Sequence, residues 1–572
     1  MCGIVGIVGK AAKERTLDAM LHAQQHRGPD HTGKLMPKEG VALGHNRLSI
    51  IDLSTEANQP MEDGQGRYVI VFNGEIYNYL ELRQTLAYHY AFRTVSDTEV
   101  LLTAYTVWGE AMLERLNGMF AFVIYDRQQG NLFCARDRFG VKPFYYMEYE
   151  GSLYVASEIK AFEAAGIPLR PKERVWASYL AYGTYGRPEE SFWEGVRQLE
   201  AGCSMVYDGS VKIRRWYDFA SRIGQLHTET TLEAVQASYE TLLEESVKLR
   251  FRADVTVGFN LSGGLDSSTL LAMVHKTHPG NDNIKAYTFY TGDERYDEDK
   301  WVEMMLERTG NPLQKVLLTA AGVPALAQEL FEVQYEPYGG IPTIAYYTLF
   351  KQARADGTLV LLDGQGMDEQ WAGYDYYTAQ GDSLVQGVKT SPTRTNVLRT
   401  DFAQAAQKHP YPKPFDNALQ NMQYRDLFYT KIPRALRFND RVSMASSVEL
   451  REPFLDYRLV ELAFAQPQEY KIRAGQKKWM LRQIAQKHLS KEIVFAPKRP
   501  VQTPQREWLG NELTSFVDEQ IEQIASSELR RWFKVDEMQK EWLAYKNGAQ
   551  DNAFYIWQWV SVGLMIESRG IK

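Results

Sequence analysis

"FNLSGGLDSSTLLAMVHK", residues 259–276, decides how the second half of this 572-residue chain is read. An apolar β run meets a helical pattern through a turn rich in glycine and serine. Gly263 and Gly264 let the backbone come close to a ligand. The helix that follows turns its free amides and its positive end towards an anion. Ser262, Ser267 and Ser268 add hydroxyl donors. A bare Gly-Gly would be an ordinary strand-to-helix turn. The whole run after a β segment reads as a phosphate cradle, and not as a Walker loop, because no Gly-Lys-Ser/Thr closes it.

Two further apolar runs, "KAYTFY" and "TLVLLDG", alternate with amphipathic segments around this one. That alternation predicts a doubly wound parallel sheet with ligands at its carboxyl edge. The third run ends in "GQGMDEQW", where Asp368 and Glu369 are hard oxygen donors of the kind that hold Mg²⁺ against phosphates. A solvated acidic loop is the plain alternative there. The C-terminal third reads as mostly helical. The Ser-Gly-Gly-x-Asp-Ser-Ser run resembles the pyrophosphate loop of ATP pyrophosphatases, which activate a carboxylate or carbonyl by adenylation.

The first half has a different texture. Short apolar runs broken by Gly, Asn and Asp, such as "RYVIVFNGEIYN" and "GMFAFVIYD", predict a β-rich layered domain with a few helices. A helix is expected over "DTEVLLTAYTVWG" with Asp97 as its cap, and a last hairpin turning at Asp208-Gly209. The change of pattern puts the domain boundary near residues 215–230. A net charge of −7 argues against a general nucleic-acid surface. Three cysteines without metal spacing, no signal-like N-terminus and no long apolar run predict a cytoplasmic protein without a membrane span.

Cys2 is the second centre of chemistry. Removal of Met1 would leave a thiol and a free α-amine on one carbon, a nucleophile beside a group that titrates near neutrality. An acyl-transfer site also needs donors where the oxyanion forms. "FNGEIYN" offers the Asn73 side-chain amide and the Gly74 backbone N–H. Arg47, Glu75 and Asp97 would suit a zwitterionic substrate, guanidinium to carboxylate and carboxylates to ammonium. Taken singly, each of these residues has a bland reading; their combination does not.

Together "MCGIVG", "HRGPD", "RLSI", "NGEIYN" and "SDTE", followed by "LSGGLDSS", "NDRVSMASSVELREPFLD" and "KKWMLR", resemble the glutamine-dependent asparagine synthetases, class II amidotransferases, over essentially the full chain. The resemblance implies an α+β N-terminal-nucleophile hydrolase sandwich (αββα) over residues 2–218. An α/β ATP-pyrophosphatase domain with a parallel sheet and a helical C-terminal part would follow over 226–572. It implies that Cys2 forms a glutamyl thioester, that Asn73 and Gly74 make the oxyanion hole, and that Arg47, Leu48, Ser49, Ile50, Asn73, Gly74, Glu75 and Asp97 bind glutamine. Leu261, Ser262, Gly263, Gly264, Asp266, Ser267 and Ser268 would bind ATP, with Thr291, Asp363 and Gly364 beside the nucleotide. Asp266 and Asp368 would hold Mg²⁺, and Lys478 would neutralise the phosphates. The remaining implications are aspartate as the carboxylate acceptor, ammonia passing through an internal tunnel, and a homodimer.

Two stretches depart from the family pattern. "DGQGMDE" has Gln365 where the family has a glutamate associated with ammonia attack, and glutamine cannot act as a base. Asp363, two residues earlier, brings a carboxylate where the family often has serine. "EPYGGIPTIAYY" places Ile341-Pro342 in a wall that is usually more polar. Drift within asparagine synthetases explains both, and so does another acceptor, such as a uronic-acid sugar or other small carboxylate.

Overall fold

A computed structural model describes residues 2–226, 231–280, 284–378, 392–496, 503–549 and 552–571. Its first half is two antiparallel six-stranded sheets laid face to face. The first runs in the order Arg197–Gln198, Tyr145–Tyr149, Ser152–Ala156, Gly3–Val8, Val41–Arg47, His31–Lys38. The second runs Val211–Arg215, Cys203–Tyr207, Asn131–Arg136, Gly118–Asp126, Tyr68–Ile76, Met61–Glu62. Gly3–Val8 is apolar throughout because it lies between two strands and under a layer on each face. The edge strand His31–Lys38 instead alternates between half-buried and exposed residues.

Ile4, Leu43 and Val155 of one sheet meet Val71, Ala121 and Val123 of the other. Outside them, Leu17, Met20 and Leu21 of the helix Glu14–Ala23 cover the first sheet, and Val100 and Leu101 of the helix Asp97–Trp108 cover the second. The result is the expected αββα stack. The last hairpin joins Cys203–Tyr207 to Val211–Arg215 around Asp208-Gly209. One local expectation fails: Ser96, not Asp97, caps the helix, its Oγ accepting the Thr98 amide at 3.1 Å. Asp97 is the first helical residue, and its Oδ2 accepts the Ile76 amide at 2.9 Å, which ties the helix to the end of strand Tyr68–Ile76.

The second half holds a five-stranded parallel sheet ordered Leu313–Leu317, Ala286–Tyr290, Val257–Asn260, Val360–Leu362, Glu449–Arg451. Numbered along the chain this is 3-2-1-4-5. The crossovers therefore leave Val257–Asn260 and Val360–Leu362 in opposite directions and open a crevice at the carboxyl ends of those two strands. Glu449–Arg451 lies in a stretch that reads as helical; three residues are too few to show a period. It forms the sheet edge nearest the first half, where Arg451 Nη2 comes within 3.6 Å of Glu75 Oε2.

Cores also run across the halves. Ile76 and Phe120 share one cluster with Leu427, Leu436 and Phe464, each side chain contributing about 1.5–3 kcal/mol by leaving water. Asn117 Nδ2 donates to Asp456 Oδ2 at 3.0 Å, and Tyr217 to Glu461 at 2.9 Å. Among the described residues no helix is long and apolar enough to cross a membrane.

Candidate active sites

Cys2 stands just before the central strand Gly3–Val8, which fixes its position. The residue is 8% exposed, and burial pushes its thiol pKa up. Its nitrogen donates to Asn73 Oδ1 at 3.0 Å, and its carbonyl accepts from Arg27 Nε at 3.0 Å. Its Sγ lies 3.9 Å from the Leu48 carbonyl oxygen. Because Asn73 spends its oxygen on Cys2, its Nδ2 is left buried with no hydrogen-bond partner among the described residues. Gly74 follows with φ +154°, and a side chain there would put Cβ 2.1 Å from the Met119 carbonyl. Only glycine fits against the neighbouring strand. A thiol, a nitrogen and an unspent amide donor thus converge on one buried point.

The expected glutamine seat is partly assembled around this point. Glu75 is 4% exposed, and its Oε2 makes no hydrogen bond among the described residues but stands 3.6 Å from Arg451 Nη2. Burial, then the charges of Glu449 and Asp97, push its carboxyl well up. Burial also moves Asp97 up to about 6. Arg47 donates to the Ser54 carbonyl at 2.7 Å, to Asn58 Oδ1 at 2.8 Å and to the Ile51 and Asp52 carbonyls. It therefore braces the loop that follows Leu48, Ser49 and Ile50. The Ser49 amide is tied to Asp30 at 2.8 Å, and the Ile50 carbonyl accepts the Asp254 amide of the second half at 2.9 Å. Met1 lies outside the described residues.

The second site opens at the reversal of the parallel sheet as a cavity of about 620 Å³. Leu261, Ser262, Gly263, Gly264, Asp266 and Ser267, the residues read as a phosphate cradle, line it. Gly263 has φ +68°, and a Cβ there would fall 2.6 Å from Trp301 Cβ. Ser268 lies behind the loop, fully buried. Thr291 does not line the cavity; its amide and hydroxyl both donate to Asp297 Oδ1, at 2.7 and 2.9 Å, and Thr288 and Phe289 of the preceding strand Ala286–Tyr290 face the space instead. Asp363 and Gly364 end the strand Val360–Leu362 across the crevice, and a Cβ on Gly364 would sit 3.5 Å from Asp266 Cβ.

Lys478 is the electrostatic hinge of this site. Its Nζ lies 2.6–2.7 Å from both Asp266 oxygens and 2.6 Å from Asp368 Oδ1. Burial works against its charge, yet Asp266 and Asp368 hold its pKa above the ordinary lysine value. Its backbone is left-handed at φ +54°, a strained conformation for a side-chain-bearing residue, kept by this buried pairing. Gly373 makes room: a Cβ there would overlap Asp368 Oδ1 at 1.8 Å and Lys478 Cε at 2.2 Å. Glu369, read as a companion donor of Asp368, accepts instead from Tyr374 Oη at 2.6 Å and is pushed up to about 7 by burial, then by Asp368.

Gln365 and Pro342 both line the cavity, whereas Ile341 is fully buried with its amide on Gln505 Oε1 at 2.8 Å. Asp363 Oδ2 is buried and makes no hydrogen bond within normal geometry among the described residues, and burial raises its carboxyl to about 6 against the Gly364 amide and the Gln365 and Asn260 side chains. Sequence reasoning missed Tyr185, Tyr346, Lys431, Arg434 and Phe438, which also face the space. They come from helix faces and from a loop of the first half, and no local motif marks them.

Comparison with known proteins divides the chain into two matched regions. Residues 1–217 match the model of a glutamine amidotransferase domain, and residues 238–568 match that of asparagine synthase. A Mycobacterium bovis protein provisionally named a glutamine-hydrolyzing asparagine synthetase is 30% identical, over 97% of this chain and 95% of its own. The glutamine-hydrolyzing asparagine synthetase 1 of Bacillus subtilis is 28% identical, over 90% of this chain and 89% of its own. Amidase chyE of Penicillium rubens is 28% identical over 90% of each chain. The chain belongs to the asparagine synthase family of ATP-dependent ligases that take their nitrogen from glutamine.

Proposed function

We propose that this protein is a glutamine-hydrolysing asparagine synthetase, with residues 2–218 and 226–572 as its two domains. In the first, the α-amine of Cys2, exposed by loss of Met1, takes the thiol proton while Sγ bonds to the glutamine amide carbon. Asn73 Nδ2 and the Gly74 N–H receive the oxyanion. Collapse expels ammonia, which carries away the proton held by the amine, and water then hydrolyses the thioester to glutamate. Glu75 and Asp97 take the glutamine ammonium, and Arg47 holds the Leu48–Ile50 edge of the seat.

In the second domain, an aspartate β-carboxylate oxygen attacks the α-phosphorus of ATP and pyrophosphate leaves onto Ser262–Ser268. Lys478 neutralises the departing charge. Asp266 and Asp368 already converge on one cation, the Lys478 ammonium, so their oxygens suit Mg²⁺, which would draw charge from the phosphates. Ammonia reaches the acyl carbon through the protein interior, forms the amide bond and releases AMP. Asp363 accepts the proton that ammonia loses, the task Gln365 cannot perform.

The observation that carries this reading is the unspent Asn73 donor beside Cys2, in one chain with a Lys478-bridged pair of carboxylates, Asp266 beside the glycine-rich loop and Asp368 across the crevice from it. ATP–pyrophosphate exchange tests it: exchange that requires aspartate supports it, and exchange indifferent to aspartate rejects it. Amidation of a different small carboxylate, such as a uronic acid, is the second reading. It is favoured by Gln365 and Pro342 on the cavity wall and by a relative named as an amidase.

A further inference from the structure

One wall of the 620 Å³ cavity is a single helix face. Lys431, Arg434, Ala435, Phe438 and Asn439 recur at helical spacing along Lys431–Ala445, and all of them line the space. The cationic pair stands one turn apart on that face. Lys431 is 9% exposed, with its Nζ 5.1 Å from the Tyr374 ring centroid. Arg434 lies 5.8 Å over the Tyr185 ring and makes no ion pair with a carboxylate among the described residues. Phe438 packs on Tyr185 at 5.3 Å and holds that ring in place.

These two charges are distinct from the other two lysines of the cavity: Lys478 is paired with Asp266 and Asp368, and Lys477 with Asp375. Burial, then the like charge of Arg434, lowers Lys431 to about 7, against the carboxylates of Asp426 and Glu369, which act the other way. The buried Lys431 and the half-buried Arg434, one turn apart, disfavour each other's charge, and an anion between them relieves both.

We propose that Lys431 and Arg434 seat a second anionic group of the acceptor. The acid amidated here then carries two anions, one carboxylate to be activated and another group held on this helix. The inference rests on the amide-ligase reading. Aspartate meets the requirement through its α-carboxylate, and a phosphorylated uronic acid through its phosphate; a simple monocarboxylate does not. Tyr185 is a positioning residue that fixes Arg434.

The test is ATP–pyrophosphate exchange by the full chain with acids that differ by one anionic group: aspartate against β-alanine, glucuronate 1-phosphate against glucuronate, with succinate as the amine-free control. A hydrogen bond to a charged group contributes about 1.5–3 kcal/mol, so the acid carrying the second anion should exchange about 10–100-fold better in kcat/KM than its partner. The pair that exchanges identifies the source of that anion. Arg434→Gln and Lys431→Met should each cut the preference several-fold, leaving the KM for ATP and glutamine hydrolysis little changed. A monoanionic acid that exchanges as well as its partner, or a preference that survives both substitutions, overturns the seat alone. No exchange with any of the acids overturns the ligase reading and the seat with it.

Discussion

Replacing Asn73 by aspartate separates the two duties of that side chain. The fully buried residue gives Oδ1 to the Cys2 nitrogen at 3.0 Å and keeps Nδ2 unspent. Asn73→Asp preserves the acceptor and turns the donor into a second acceptor. Loss of one preorganised oxyanion donor costs about 2.7–4 kcal/mol, or a factor of about 10²–10³ in kcat. The repulsion between the new carboxylate and the oxyanion acts in the same direction. Glutaminase turnover, followed as glutamate release at saturating glutamine, should therefore fall by that factor, with Cys2→Ala setting the floor. Synthesis from ammonium chloride, followed as AMP release, should stay within a factor of about two, since the second site lies on other elements. Turnover within fivefold of the parent protein would refute the oxyanion role. An equal loss of both activities would mean that Asn73 holds the fold and not the site.

Lys478→Met removes the cation shared by Asp266 and Asp368. ATP–pyrophosphate exchange should fall by at least about 100-fold while glutamine hydrolysis persists, and exchange within fivefold would reject the phosphate role. Asp363→Asn should slow amide formation from ammonium more than it slows exchange. In the parent protein Asp363 must be ionised to accept a proton, so that step should fade as the pH drops through about 6, and the substitution should abolish the inflection. An unchanged pH profile in Asp363→Asn would assign the proton elsewhere.

What was legible in the sequence is what is local. The Val257–Asn260 strand, its glycine turn and the helix after it are written in consecutive residues, and the Gly263 φ of +68° and the tight Trp301 contact are what that glycine implies. The Cys2–Asn73 pair spans 71 positions, yet each half sits in its own recognisable run. The Ser96 cap was missed because Ser96 and Asp97 are both good capping residues, and the Ile76 amide decides between them. Arg47 could not be read as a loop brace, because its partners are backbone carbonyls, which leave no mark in composition. Arg451 beside Glu75, and Tyr185 beneath Arg434, arise from packing between the halves, so neither stretch carries the signal alone.

The central claim is that nitrogen freed at Cys2 ends in an amide made at the Lys478 site. Mass spectrometry of the product formed from amide-¹⁵N glutamine, ATP and aspartate, in the presence of excess unlabelled ammonium, tests it most directly. The account predicts ¹⁵N-labelled asparagine and AMP in equal amounts, with the label undiluted by the ammonium around the protein. Glutamine hydrolysed without AMP, or an amide carrying only unlabelled nitrogen, would contradict it.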